Sequence, residues 1–292
     1  MRFSFTTIFA FFFFNATAQT QAEWAQTVNW DGVSHWSKYI RVRAAYLGPN
    51  ALAVPTISNG SIDSNSSAGI TAQLHFSPGD KTQSIVLYGN YALVKGLISF
   101  DVSYIPVEYY TMSDAIKKER HVYYKYYNDK RARGDVLVNT TIQLFNKWRK
   151  SVQLALRMGF RYPSSSGFGA ARFIDGLGYH FDISMAKAFH AIPLKWVAMA
   201  GFYCWQIEQE DFRQNDAFLF GTGFEWNSSS WRLQTYVAGY LGYLEHSGDK
   251  PVVFRTTAEK RIKKTSLLLR FQQGLHDFKY STVEFGAKYY FK

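Results

Sequence analysis

The sequence predicts an all-β chain, an antiparallel transmembrane β-barrel of about twelve strands preceded by an irregular N-terminal segment. Three observations carry this. From Ala68 onward, apolar residues recur at every second position in segments of similar length, and a period of two turns successive side chains to opposite faces of a strand. The links between these segments alternate between short and long. The chain is 18% aromatic, with 20 Tyr, 25 Phe and 8 Trp, yet its mean hydropathy is only -0.21. Half-apolar strands ringed by Tyr and Trp give that combination.

In chain order, residues 1–18 (MRFSFTTIFAFFFFNATA) carry one cation, Arg2, an apolar core, and Ala16-Thr17-Ala18 as a small-x-small cleavage site. That is the pattern of a secretory signal peptide. No apolar run of about 18 residues follows, so helical membrane spans are not expected. Residues 19–67 form a separate segment. Gln19 to Trp36 is polar with scattered Trp, Tyr39 to Tyr46 alternates briefly enough for one strand, and Gly48-Pro49-Asn50, Pro55 and a Ser/Asn-rich run break regularity. Residues 68–292 form the barrel.

Strands are expected near 70–76, 82–92, 97–106, 135–145, 151–162, 179–186, 194–206, 216–226, 231–243, 252–259, 266–272 and 281–292. In the fifth, Val152, Leu154, Leu156, Met158, Phe160 and Tyr162 oppose Gln153, Arg157 and Arg161. The last reads STVEFGAKYYFK, with Val283, Phe285, Ala287, Tyr289 and Phe291 on one face and Thr282, Glu284, Gly286, Lys288 and Tyr290 on the other.

A chain closing on such a strand resembles Gram-negative outer-membrane β-barrel proteins. The resemblance implies insertion by the barrel-assembly machinery through the closing strand, and residence in the cell outer membrane against lipid and lipopolysaccharide. Short turns then face the periplasm, long links lie outside, and residues 19–67 sit in the periplasm or fold into the lumen.

If the aliphatic faces meet lipid, the opposite faces line the lumen. They carry Arg157, Arg161, Arg232, Arg255, Arg261 and Arg270 with Asp101, Asp182, Glu259 and Glu284. Arginines pair carboxylates through two parallel bonds, so this set can plug and stiffen a narrow barrel. Alternatively Arg157, Arg161, Arg232, Arg255 and Arg270, with Asp182 and Glu284, line a path or binding site for a small anionic solute, since arginine rings favour anions. Porin-like passage or binding of such a solute is the leading expectation. The alternatives are a non-enzymatic anchor or assembly component with a plugged barrel, and a lipid-modifying enzyme. For the enzyme, His180, Asp182 and Ser184 share one strand face. Their spacing of about 6.5–7 Å is too wide for a direct nucleophile–base bond, and no catalytic residue is assigned.

The link after the third strand is dense in charge and tyrosine. Ser113 can cap a short helix with Asp114 in its first turn. Lys117, Lys118, Arg120, Lys130, Arg131 and Arg133 form a basic surface suited to lipopolysaccharide phosphates or glycans. The net charge of +11 also suits acidic partners, but the export signal argues against nucleic acid. Cys204 is the one cysteine, so no internal disulfide forms. The seven histidines are dispersed, and no cofactor or metal site is expected.

Overall fold

The computed structural model describes residues 19–62, 64–148, 152–189, 191–207, 213–243 and 247–291. The expected signal peptide, residues 1–18, and the terminal Lys292 lie outside the described residues. The strands are β1 (Ser66–Ser77), β2 (Asp80–Val94), β3 (Ile98–Met112), β4 (Arg131–Ala132), β5 (Val136–Trp148), β6 (Val152–Tyr162) and β7 (Gly178–Ala188). They continue with β8 (Leu194–Gln206), β9 (Gln214–Asn227), β10 (Trp231–Gly242), β11 (Val252–Ile262), β12 (Thr265–His276) and β13 (Ser281–Phe291).

Apart from β4, a two-residue strip on β3, each strand pairs antiparallel with its sequence neighbours, and β13 returns to pair with β1. The result is a closed twelve-strand cylinder. Closure leaves no unpaired edge, which a lipid environment demands of any sheet.

Alternation sorts the two faces. Ile70, Leu87, Val102, Ile183, Leu269 and Phe285 point outward and are exposed, while Thr71, Ser184, Thr257, Thr282 and Glu284 point inward and are buried. Exposed Tyr and Trp mark the rims: Tyr91, Trp226, Trp231 and Tyr289 at the end carrying the short turns, Tyr109, Tyr162 and Tyr243 at the other. This is the aliphatic band and aromatic girdle of a barrel bathed in lipid. The long links, 113–135, 163–177 and 243–251, all lie at one end, as the parity of link lengths requires.

Before β1, α1 (Gln21–Val28) begins at a capping box in which Thr20 and Glu23 satisfy each other's backbone N–H groups. The brief alternation at Tyr39–Tyr46 does not make a strand. Two single-turn 3-10 helices, Trp36–Tyr39 and Ala44–Tyr46, stand there. Their apolar residues alternate because the segment is enclosed by the barrel, not because it joins the sheet: Ile40, Val42, Ala44, Ala45 and Leu47 are all buried.

The first long link also starts later than its tyrosines suggest. Tyr109 and Tyr110 belong to β3, which runs on to Met112. Ser113 then caps the helix α2 (Asp114–Glu119), its hydroxyl accepting from the Ile116 N–H.

Candidate functional site: a threaded lumen and the chamber beneath it

Residues 40–62 run down the inside of the cylinder. At the long-link end, the Ala45 N–H donates to Gly248 O and the Gly48 N–H to Ala171 O, both at 2.9 Å. Further along, wall side chains take the thread's carbonyls in sequence. Arg161 donates to Ala51 O at 2.7 Å, the Tyr240 hydroxyl to Leu52 O at 2.8 Å, Arg255 to Val54 O at 2.7 Å and Pro55 O at 3.1 Å, and Arg157 to Thr56 O at 2.8 Å. Near the short turns, Gln143 donates to Gly60 O at 2.7 Å.

An irregular segment has no partners of its own for these carbonyls, and burying them unpaired costs about 1–3 kcal/mol each. The wall arginines therefore make a non-regular thread tolerable inside the lumen. Leu47, Leu52, Val54 and Ile57 of the thread pack with Val197, Trp205, Leu219 and Tyr240 of the wall in one apolar core.

A fully buried ion cluster fastens the top of this thread. Arg172, from the link before β7, meets Asp80 at 2.7 Å and Glu108 at 2.9 Å, and donates to the Thr82 hydroxyl at 2.8 Å. Arg120, just past α2, reaches the same Asp80 at 2.7 Å and the Tyr280 hydroxyl at 2.9 Å. The thread enters through Asn50, whose amide donates to Glu108 at 2.9 Å. Two cations thus face two carboxylates, and two outer links, the thread and the wall meet in one place.

Burial alone would push the Arg172 guanidinium pKa down. Glu108, Tyr280 and Asp80 outweigh it, so the pKa is raised and the charge secured. Burial is also the main reason that the Tyr280 hydroxyl rises to about 12, which keeps it a neutral donor to Asp80 at 2.6 Å.

Between the thread and the short turns lies a chamber of about 450 Å³. It is lined by polar side chains of the thread and of β1–β3, β5, β6 and β9–β13. Its charges are paired within the wall: Arg270 with Glu284 at 3.1 Å, and Arg232 and Lys288 with Glu259 at 2.9 and 2.8 Å. Glu225 accepts from Asn59 at 3.1 Å, and Asp101 accepts from Asn90 at 2.8 Å.

The sequence-predicted residues thus divide. Arg161 and Arg255 are spent on the thread and do not line open lumen, and Arg157 is held by the thread as well. Arg161 also faces Asp135 at 3.7 Å, and Asp182 is held by Arg157 at 2.7 Å. Arg232, Arg270 and Glu284 do line the chamber, with Arg157 at its upper limit. Arg261 stacks on the Tyr290 ring at 4.3 Å.

His180 and Ser184 do not meet. Ser184 donates to Asp182 at 2.8 Å, His180 stands 3.8 Å from the same carboxylate, and Ser184 is buried. A serine bonded to a carboxylate that is itself neutralised by arginine has no base to activate it.

In the outer link, Lys118, Lys130, Arg131 and Arg133 are exposed, whereas Lys117 is half-buried with its ammonium 4.1 Å from the Tyr127 ring centroid. Arg120 departs from the expected basic surface: it is 2% exposed and points into the ion cluster. Above the cluster, Trp24, Trp36, Tyr39 and Tyr123 form an aromatic cap, with Trp36 stacked on Tyr123 at 4.9 Å. His121 ties it down, its Nδ1 lying 2.9 Å from Tyr39 O, and burial holds its pKa below the usual imidazole value.

Of the two places expected for residues 19–67, the lumen takes residues 40–62; the bonds that hold them there were not foreseen. Gly48-Pro49-Asn50 and Pro55 register as breaks in strand pattern, and the carbonyls the thread offers are invisible in side-chain composition. The spacing Thr20-x-x-Glu23 was a usable signal for α1.

A closed twelve-strand cylinder with an apolar outside, aromatic rims and a polar lining defines an outer-membrane β-barrel, and solved structures of that class are its structural neighbours. An outer membrane channel from Pseudomonas putida F1 superposes with TM-score 0.56 at 10% identity, over 82% of this chain and 100% of that one. The NanC porin superposes with TM-score 0.51 at 6% identity, over 76% of this chain and 98% of that one. At these identities the likeness is one of fold. No family model matches the sequence, and no curated protein does.

Proposed function

We propose that this protein is a barrel of the outer membrane plugged by its own N-terminal segment, a non-enzymatic anchor that holds a folded cap on the cell surface and a solute chamber facing the periplasm. The observation that carries the reading is the run of thread carbonyls, Ala51 to Thr56, held by Arg161, Tyr240, Arg255 and Arg157. Lumen arginines that spend their guanidinium groups on backbone carbonyls of their own chain and on carboxylates of their own wall, as Arg157 does on Asp182 and Arg161 on Asp135, are structural clamps. In an open anion channel they would face water.

On this reading, Lys118, Lys130, Arg131 and Arg133 meet lipopolysaccharide phosphates at the outer surface, and β13 is the strand presented to the barrel-assembly machinery. Porin-like passage of a small solute is the second reading, and the chamber is what favours it. Passage needs the thread to leave.

Planar-bilayer recording separates the two. The wild-type protein should show no steady open level, and the double variant Arg157→Ala/Arg255→Ala should conduct. A wild-type protein passing a steady porin-like current would end the plug reading.

A further inference from the structure

The chamber below the thread has the chemistry of a binding site, and its charges argue against the ion that the arginine count alone suggests. Four cationic side chains and four carboxylates line it, so the wall carries no net formal charge. The lower cations are committed: Arg270 to Glu284, Arg232 and Lys288 to Glu259. An anion entering there would have to break a formed pair, and stripping one partner from a buried pair leaves an uncompensated charge.

The neutral groups are less complete. Asn90 directs its amide N–H to Asp101 at 2.8 Å, which turns its carbonyl oxygen the other way. That oxygen, and the one of Asn139, are buried and accept no hydrogen bond among the described residues. Both residues line the chamber. Neither oxygen presents surface to the chamber as its side chain stands, so a solute hydroxyl reaches it only when the amide turns inward, whereas a paired carboxylate already has lone pairs to offer a hydroxyl. The Tyr88 ring also lines the chamber; it lies over Gly69, in the space a Cβ there would fill. The ring adds an aromatic plate to a mainly polar wall that also carries Ile57, Ile62, Val86 and Leu268. The chamber's volume is within the range of about 300–1,000 Å³ typical of small-ligand sites.

We propose that the chamber binds an uncharged, polyhydroxylated solute of one or two sugar units, with Asn90 and Asn139 accepting hydroxyl hydrogen bonds. Hydroxyls donate and accept at once, so they fit a wall of paired charges and amides without breaking any pair. This assignment rests on the chamber proposed above as the solute site, and it names the chemical class that the chamber admits.

The test is calorimetric titration of the refolded full-length protein in detergent with maltose and, separately, sodium gluconate. Maltose should bind saturably and gluconate should not. Asn90→Leu and Asn139→Leu should each weaken maltose by about tenfold, the consequence of losing a hydrogen bond in a buried site. Glu284→Gln, nearly isosteric, frees Arg270 and should bring gluconate binding above that of the wild type. A far-ultraviolet circular dichroism spectrum like that of the wild type certifies that each variant is folded.

Gluconate binding the wild type as well as maltose does, or neither probe binding, overturns the assignment. So does maltose binding that is indifferent to both asparagines. Bilayer conductance reports on the plug separately, so a leaking barrel that still selects maltose would sink the plug and keep the sugar site.

Discussion

Replacing Arg172 with methionine keeps most of the side chain's length and removes its charge from a place with no water. Arg172 is wholly buried, paired with Asp80 and Glu108, and bonded to Thr82. Asp80 keeps Arg120, but Glu108 is left with only the Asn50 amide as a donor among the bonds described. Breaking a buried pair by removing one partner costs about 3–5 kcal/mol. Glu108 also holds the top of the thread through Asn50, so the cost falls on the docking of residues 40–62. At about 1.4 kcal/mol per tenfold, the undocked population should rise between about 140-fold and about 3,700-fold.

Limited trypsinolysis of the refolded barrel in lipid, followed at Arg41 and Arg43, reads that population directly when undocking is fast relative to cleavage. Adding Glu108→Gln to the variant removes the stranded charge and should recover more than half of the loss on a logarithmic scale. A cleavage rate within about tenfold of wild type in the single variant would refute the reasoning, because an uncompensated buried carboxylate cannot be that cheap.

Three further outcomes are expected. Gly48→Ala puts a Cβ 2.5 Å from Arg172 O and 2.9 Å from its guanidinium carbon. Overpacking of that kind costs about 1–3 kcal/mol, visible as a lower thermal midpoint and faster cleavage of the thread. Acidification should loosen the aromatic cap. His121 has a pKa held below 6.5 when docked, so the docked state resists a proton that the released imidazole accepts. The stabilisation is complete above pH 6.5 and fades as pH falls through the free value toward the depressed one. Tryptophan emission of the cap followed from pH 8 to 5 should report this, and His121→Asn, which tolerates the left-handed backbone at φ 59, should flatten the response. Finally, Val33→Cys should react with a membrane-impermeant maleimide on intact cells, since Val33 is 90% exposed beside the outer links, while native Cys204 is buried and stays silent.

The cylinder was legible because a strand in lipid has to alternate. The expected strand at 151–162 and β6 agree to a residue, with Arg157 and Arg161 on the inner face as the pattern requires. The closing strand, with Phe285, Tyr289 and Phe291 outward and Thr282 and Glu284 inward, was equally plain. Link lengths gave the two ends.

That residues 19–67 could enter the lumen was legible; how the wall holds them there was not. Arg255 looks the same in a sequence whether it faces water or Val54 O, because a backbone carbonyl leaves no mark on composition. Arg120 illustrates the same loss from another side. It stands among lysines on a charged helix, and only the fold brings Asp80, forty positions earlier, to its guanidinium. The pairing of chamber charges likewise depends on register: Arg270 faces Glu284 across adjacent strands, a partnership fixed by β12 and β13.

The chain also passes from one side of its own cylinder to the other before building it. α1 and the cap rest on the long-link end, whereas β1 starts and β13 finishes at the short-turn end. Residues 40–62 therefore have to be in the bore before β1 and β13 zip together, or be drawn through it afterwards like a cord through a sleeve. Seam closure and the crossing of the N-terminal cap to the far side of the bilayer become one event, and a passenger grafted ahead of Thr20 would make the same journey.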